Sequence, residues 1–391
     1  MSSKKWLHVF FISIFLMGGI PYLLTYIFLT LNFENNTYDE IVTRQIKNRS
    51  IYGTALNQNT FAYKLSLIRA IKPEIIVLGS SRVMQFREES FTTSFVNAGG
   101  SMNYLNEGYQ FLQELYTFHK PKYIILGLDF WWFNDSFSQP FSFPYHQNQG
   151  TTIDYHKIYK TLSWLASGKI GFTGVKNMWS QEKIRNRYTD YDNLGFSAIA
   201  TSDGYRSDGS YLYAKTLFGV EKSDDQHFLD TLSRIENGNN RFEYGKTISN
   251  SRIKYFRQII NKIQENNTRV ILLIPPVSNT VYQKMKGYNY TYIHQFQKFI
   301  SEQNIENYNY HKLSLLTKDD CECIDGFHGG DVVYNRILKN MYDRNSSISP
   351  FLNIQSIEEN IKKFRGKTLT LFRKNRFQLT ETDFLKLGCE K

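Results

Sequence analysis

The sequence predicts an α/β fold: a mostly parallel sheet flanked by helices in a three-layer sandwich, with an aromatic-rich insertion and one N-terminal transmembrane helix. Continuous apolar runs at Glu74–Leu78, Tyr123–Leu128 and Val270–Ile274 are typical of parallel strands buried on both faces. Helical segments alternate with these runs, which favours a parallel sheet covered on both sides. A long uncharged segment at the N-terminus predicts the membrane span.

The N-terminal segment is predicted to be an uncleaved membrane anchor. Lys4 and Lys5 precede Trp6–Leu31, 26 residues without a charged side chain. A signal peptide would have a shorter apolar region and a small-residue cleavage site. The positive-inside tendency places the two lysines in the cytoplasm and everything after residue 31 outside, in a periplasm or at a cell surface. We therefore assign residues 1–31 to a cytoplasmic stub and anchor.

The rest of the chain divides into a polar connector (32–60), an α/β domain (61–345) and a basic C-terminal segment (346–391). Further predicted strands are 94–97 and 305–308, and the predicted helices are 61–71, 104–118, 251–265 and 292–302. The α/β pattern lapses at about 130–246, which we interpret as an aromatic-rich insertion over the site. Its length requires structure of its own, and 154–166 and 175–187 are its best candidate helices.

Charge and cysteine content narrow the class of protein. The formal net charge is +11, and seven basic residues lie between Lys362 and Arg376 with no acidic residue among them. A solvated basic face or contact with the membrane or a partner would account for them. Nucleic acid is excluded as a partner by the extracytoplasmic topology. Cys321 and Cys323 are too closely spaced for a zinc site, whereas one disulfide that involves Cys389 is compatible with the sequence. We predict no metal and no cofactor.

Two short motifs could carry chemistry. Ser81 follows a buried strand in Gly79-Ser80-Ser81, and His328 follows Asp325 by three residues. A serine hydroxyl is a poor nucleophile until a base takes its proton, and histidine needs a carboxylate to hold its tautomer. The three side chains are therefore a candidate catalytic triad. Alternatively, Ser81 is a turn residue and Asp325 and His328 are an ordinary hydrogen-bonded pair.

These motifs, in this order and at the ends of α/β elements, resemble those of the SGNH or GDSL-type hydrolase superfamily. The resemblance implies an acyl-serine intermediate and ester chemistry. It also implies an oxyanion hole made from the amides of Ser81 and Gly100 and from an asparagine side chain. This chain has Asp129 where the asparagine is expected. Asp129 would have to be protonated, or Asn134 or Asn103 would replace it, or the hole would have only backbone donors.

A Gly-Ser-Ser motif behind a single membrane anchor is similar to the DltD-type members of the superfamily and to anchored enzymes that acylate exported polysaccharides beside a membrane O-acyltransferase. This resemblance implies a cell-envelope glycopolymer as substrate and makes a membrane O-acyltransferase a candidate partner. Arg82 could position an anionic substrate, and Trp131 and Trp132 could form a sugar platform, although surface ion pairing and core packing are the alternatives. The rival hypothesis is a noncatalytic scaffold or carbohydrate-binding partner of such an acyltransferase.

Overall fold

The computed structural model describes residues 3–138, 155–170, 175–176, 192–219, 221–370 and 381–390. Its centre is a five-stranded sheet in the order β3-β2-β4-β8-β9, in which every neighbouring pair is parallel. The strands are β2 (Ile75–Gly79), β3 (Phe95–Gly99), β4 (Tyr123–Gly127), β8 (Arg269–Ile274) and β9 (Asn307–Asn309). The predicted α/β class with a mostly parallel sheet is confirmed.

Helices cover both faces of this sheet. On one face, Ile76 and Leu78 of β2 belong to the core that includes helices α3 (Thr60–Ile71), α4 (Leu105–Leu115), α9 (Asn250–Glu265) and α11 (Thr291–Ser301). On the other face, Ile75 and Val77 pack with α12 (Asp331–Asp343) and α13 (Ile354–Lys363). Successive side chains of a strand point to opposite faces, so a continuous apolar run is what a strand between two helical layers requires.

The predicted connector contains regular structure that the sequence analysis missed. Helix α2 (Tyr38–Asn48) begins at a capping box in which Thr37 and Glu40 bond each other's backbone N–H groups. It buries one face and leads into strand β1 (Ile51–Tyr52). This strand joins a second, four-stranded sheet with β5 (Asn193–Leu194), β6 (Gly204–Tyr205) and β7 (Tyr211–Leu212), in the order β5-β1-β6-β7. Residues 38–52 therefore belong to the folded domain.

The region predicted as an insertion is part of the same core. Phe130–Phe133 is buried, strands β5 and β6 pair with β1 from the connector, and β7 pairs with β6. The predicted helix 154–166 is found as α5 (Tyr155–Ala166), whereas nearly all of the predicted helix 175–187 lies outside the described residues. The remaining helices are the short α6 (Phe196–Thr201), α7 (Ala214–Leu217), α8 (Leu229–Asn237) and α10 (Asn279–Met285).

The N-terminal helix α1, Ser3–Leu31, is the one helix among the described residues that is long and apolar enough to cross a membrane. The most apolar 18 residues of this helix have a mean hydropathy of 2.0, and none of them is buried in the protein. Its last turns are packed: Phe28 and Leu29 form a buried cluster with Ile158 of α5 and Phe196 of α6. Because this end is packed into the domain, the helix emerges from it in a fixed place.

A disulfide closes the C-terminal segment onto the domain. Cys321 and Cys389 are bonded, with Cα atoms 5.8 Å apart, and Cys323 is buried and outside this disulfide. The Glu381 carboxylate also accepts the backbone N–H groups of Thr368 and Leu369. The disulfide that the sequence allowed for Cys389 is thus present, and it ends four residues before Asp325.

We expect Cys389→Ser to lower the free energy of unfolding by about 4 kcal/mol. The bridge closes a loop with a sequence separation of 68 residues, and its loss restores the entropy of that loop to the unfolded chain. Urea denaturation of the detergent-solubilised full chain would measure this change. Cys323→Ala is the control and should remain as sensitive to reductant as the wild type. Equal stability of Cys389→Ser and wild type would contradict the prediction.

Candidate active site

Ser81 lies just beyond the carboxyl end of β2, the second strand of the five-stranded sheet. Strand β2 ends at Gly79, and Ser81 opens a short 3₁₀ turn, Ser81–Val83. The Ser80 side chain caps this turn by accepting the Arg82 backbone N–H at 3.2 Å. Ligands of parallel sheets bind beyond the carboxyl ends of the strands, and Ser81, which is partly exposed, is therefore in the expected place.

Asp325 and His328 lie on a tight loop that precedes helix α12. A β-bridge between Cys323 and Gly329 closes the base of this loop, and the His328 carbonyl accepts the Ile324 N–H at 2.8 Å. Within the loop, Asp325 Oδ1 accepts the backbone N–H groups of Phe327 and His328, at 2.9 and 2.8 Å. These bonds make the carboxylate part of the loop and fix its position relative to the imidazole.

The three predicted side chains meet in hydrogen-bond contact. Ser81 Oγ is 2.9 Å from His328 Nε2, and His328 Nδ1 is 2.7 Å from Asp325 Oδ2. Burial alone would raise the pKa of Asp325, but the adjacent imidazole and the hydrogen bonds to its carboxylate lower that pKa below its ordinary value. Asp325 is therefore ionised at neutral pH. It can hold the Nδ1 proton and leave Nε2 as an acceptor for the serine proton.

Asp225 supports this loop and was not identified from the sequence. Its carboxylate accepts the Gly326 backbone N–H at 2.8 Å and both the N–H and hydroxyl of Thr231. The Gly326 carbonyl in turn accepts the N–H of Ser278. Asp225 lies in the predicted insertion, 101 residues from Gly326, so no local pattern connects the two. The insertion thus contributes to positioning the catalytic loop.

A second aspartate precedes a histidine by three residues, at Asp224 and His227, and was overlooked in the sequence. His227 has a left-handed backbone, with φ of 52°, and its N–H donates to the Leu385 carbonyl. Among the described residues, no hydrogen bond joins the side chains of Asp224 and His227. Of the two pairs, Asp325 and His328 form the one that contacts a serine.

The side chains predicted for the oxyanion hole are occupied elsewhere. Asp129 is buried and paired with Arg82, whose Nη1 lies 3.1 Å from Oδ1. Burial raises the pKa of Asp129, and the charge of Arg82 opposes that rise. Asn134 is fully buried, with Nδ2 donating to the Glu243 carbonyl and Oδ1 accepting from Ser136. In this conformation Asp129 is paired with a cation and the Asn134 amide group donates to a carbonyl, so the structure shows neither side chain donating toward Ser81.

Of the two backbone N–H groups predicted for the oxyanion hole, those of Ser81 and Gly100, the second already has a hydrogen-bond partner. The Gly100 N–H donates to the Gly79 carbonyl at 2.9 Å, so it is not available to a substrate in this conformation. Gly100 has φ of +84°, a left-handed conformation that residues with a side chain rarely adopt, which accounts for a glycine here. The Ser81 N–H opens a helical turn, where an amide has no partner within the turn. Asn103 is partly buried, and its amide group donates to the Gly100 carbonyl at 3.4 Å.

The residues predicted to bind substrate are structural. Arg82 is buried, and besides Asp129 it donates to the carbonyls of Phe327, Pro275 and Pro276. Trp131 is 1% exposed and lies 5.4 Å from the Arg82 guanidinium. Trp132 is fully buried and donates to the Asn103 carbonyl at 2.6 Å. Arg82 and Trp131 therefore pack beside the loops that carry Ser81 and His328, whereas Trp132 bonds the loop of Asn103.

Comparison with known proteins does not identify this site. No protein-family model matches the chain, and no curated protein and no solved structure is significantly similar to it. Within the described ranges, no cluster of three or more histidine, cysteine, aspartate or glutamate side chains is arranged to hold a metal ion. The arrangement of Ser81, His328 and Asp325 is the observation that indicates the chemistry of this site.

Proposed function

We propose that this chain is a serine esterase or O-acyltransferase that works through an acyl-serine intermediate. The observation that carries the proposal is the continuous hydrogen-bonded series Ser81 Oγ, His328 Nε2, His328 Nδ1 and Asp325 Oδ2, with contacts of 2.9 and 2.7 Å. An activated nucleophile is recognised by this arrangement of nucleophile, base and orienting acid, whatever the sequence around it.

The geometry supports a two-step reaction. His328 Nε2 takes the Ser81 proton while Oγ attacks an ester carbonyl, and Asp325 stabilises the imidazolium that forms. The carbonyl oxygen becomes an oxyanion near the Ser81 N–H. As the bond to the leaving alcohol breaks, His328 returns the proton to that alcohol. Water or a sugar hydroxyl then gives its proton to His328 and attacks the acyl-serine. As the bond between the acyl carbon and Ser81 Oγ breaks, His328 returns its proton to Oγ, and the product is either the free acid or a new ester.

Resemblance to the SGNH superfamily supports the choice of substrate. It favours ester-linked acyl groups on a cell-envelope polysaccharide or glycopolymer, and a membrane O-acyltransferase as the candidate partner. An extracytoplasmic location agrees with the apolar helix Ser3–Leu31 behind Lys4 and Lys5. The Cys321–Cys389 disulfide agrees with it too, since such bonds persist in oxidising compartments.

Labelling of Ser81 with a fluorophosphonate probe tests this proposal. The full chain, solubilised in detergent, should become covalently modified, because the probe reacts with a serine whose proton a neighbouring base removes. Ser81→Ala should abolish the modification, and His328→Ala should reduce it to background. Intact-protein mass spectrometry would measure the fraction labelled, and peptide mapping would locate the modified residue.

Two variants control for nonspecific damage. Ser80→Ala removes the neighbouring hydroxyl on the same turn, and His119→Ala removes a histidine that bonds the Pro73 carbonyl at the other end of the sheet. Both should still be labelled. Absence of labelling in folded wild-type protein would refute the hydrolase proposal.

The second candidate function is a noncatalytic scaffold or carbohydrate-binding partner of a membrane O-acyltransferase. The observation in its favour is that Asp129 is paired with Arg82 and that the Gly100 N–H donates to Gly79. The Ser81 N–H is therefore without the glycine and asparagine donors expected beside it in an oxyanion hole. Removing one oxyanion donor typically costs roughly 10²–10³-fold in rate. An unlabelled chain that still binds a membrane acyltransferase would support this second function.

A further inference from the structure

A cavity of about 220 Å³ opens beside the second sheet. Five of its lining residues are tyrosines: Tyr38, Tyr52, Tyr63, Tyr205 and Tyr211. The other side chains that line it are hydroxyl and amide groups, from Thr54, Asn57, Gln58, Asn59, Thr60 and Ser197. Aromatic faces joined with convergent polar groups are the usual composition of a small-molecule site.

The cavity lining carries no charged side chain. In a chain with 21% charged residues and a net charge of +11, a cavity that bound a phosphate, a carboxylate or a nucleotide would be expected to present lysine or arginine. Tyrosine rings present apolar faces to the C–H groups of a sugar ring, while hydroxyls and amides bond its hydroxyls. The lining therefore selects for a neutral, polyhydroxylated ligand.

A row of aromatic rings connects the cavity with the triad. Ring centroids are 5.0 Å apart for Tyr63 and Tyr205, 5.0 Å for Tyr205 and Tyr211, and 4.7 Å for Tyr211 and Tyr213. The Tyr213 ring is then 6.4 Å from the His328 ring. Tyr205, Tyr211 and Tyr213 are all partly exposed. The row could carry a short stretch of glycan chain from the cavity to the nucleophile.

Tyr52 is a buried member of the cavity lining with an unused hydrogen-bonding capacity. It is 1% exposed, and no described residue lies within hydrogen-bond distance of its hydroxyl, although the nearby Thr54 hydroxyl opposes the rise that burial causes in the Tyr52 pKa. A buried hydroxyl without a partner costs free energy, and most buried polar groups in proteins are paired. By contrast, the Tyr38 and Tyr63 hydroxyls bond Asn57 and Gln45. A ligand hydroxyl in the cavity could supply the partner that Tyr52 lacks.

We propose that this cavity binds a neutral sugar unit of the glycan substrate, and that the row from Tyr205 to Tyr213 directs the chain toward Ser81. The inference rests on the proposed function, because it assigns the glycan part of that substrate to a second site. Aromatic residues make up 16% of the chain. The tyrosines of this site would contact substrate, whereas Trp131 and Trp132 are buried.

Binding of the detergent-solubilised full chain to an array of defined neutral and uronic-acid oligosaccharides tests the site. The wild type should bind neutral members in preference to uronic-acid members. Tyr52→Phe should weaken binding roughly three- to tenfold, the effect of one hydrogen bond. Tyr211→Ala should weaken it by more than that, because it removes a stacking surface. If no neutral member binds, or if both variants bind as the wild type does, the inference is overturned.

Tyr292→Phe is the matched control, since Tyr292 is also fully buried with an unpartnered hydroxyl but lies outside the cavity. It should bind the array unchanged, and circular dichroism would verify that each variant is folded. Fluorophosphonate labelling of the wild type separates the two proposals. Labelling without glycan binding would refute the sugar site alone. Glycan binding without labelling would refute the hydrolase chemistry and leave the sugar site in place.

Discussion

Asp325→Asn should slow fluorophosphonate labelling of Ser81 by roughly 10³–10⁴-fold while leaving the protein folded. The asparagine oxygen can still accept the backbone N–H groups that Asp325 Oδ1 accepts, from Phe327 and His328. The amide nitrogen, however, would face His328 Nδ1, now 2.7 Å from a carboxylate oxygen. Because an amide donates there, the imidazole must carry its proton on Nε2. It can then no longer accept the proton of Ser81.

Labelling rates under pseudo-first-order conditions, compared with the unfolding midpoint of the same preparations, would measure this effect. Asp320→Asn is the control, because Asp320 lies on the preceding 3₁₀ turn and caps the helix that begins at Asn279. It should change the midpoint more than the labelling rate. An Asp325→Asn variant that labels as fast as the wild type would show that Asp325 does not set the tautomer of His328.

The strands that position the site could be predicted because each is buried on both faces. An apolar run such as 75–79 or 269–274 has no other stable place in an α/β domain, and the observed bounds agree with the predicted ones within one or two residues. The same runs put Ser81 at a carboxyl strand end, which is why a serine and an Asp-x-x-His motif distant in sequence could be paired in advance.

Helix α2 was missed because its apolar positions are few. Its buried residues are Tyr38, Ile41, Val42 and Gln45, which are spaced as one face of a helix. Charged side chains lie between them in the sequence. The polar composition was interpreted as a connector. Thr37 and Glu40 carry the signal that could have been used, since a threonine followed three residues later by glutamate is a capping box.

The surroundings of the oxyanion and substrate candidates could not be predicted, for another reason. Whether Arg82 and Asp129 face solvent or each other depends on packing between loops 47 residues apart, which no local pattern records. An arginine beside a nucleophile and an aspartate after a strand each have several uses. A buried ion pair and a pair of substrate-binding side chains differ in their burial. Burial is a property of the tertiary structure.

Arg82→Met should lower the free energy of unfolding by about 3–5 kcal/mol, the usual cost of removing one partner of a buried ion pair. The Arg82 and Asp129 side chains are 0% and 2% exposed. Methionine would leave the Asp129 carboxylate without its cation, and the carbonyls of Phe327, Pro275 and Pro276 without their donor. Urea denaturation of the full chain would measure the change. Arg234→Met, in a partly exposed pair with Asp230, should cost less than about 1 kcal/mol.

The double variant Arg82→Met with Asp129→Leu distinguishes an ion pair from a substrate contact. If the loss arises from an uncompensated charge, an apolar pair should recover much of the stability, because buried ion pairs are often replaceable by apolar residues of similar volume. Labelling of Ser81 should be slower than in the wild type in both Arg82→Met and the double variant, since in both the Phe327 carbonyl beside His328 lacks the Arg82 donor. Were Arg82 a substrate contact instead, Arg82→Met would be as stable as the wild type and would be labelled at the same rate. The ion-pair and substrate-contact roles of Arg82 therefore predict different stabilities and different labelling rates for Arg82→Met.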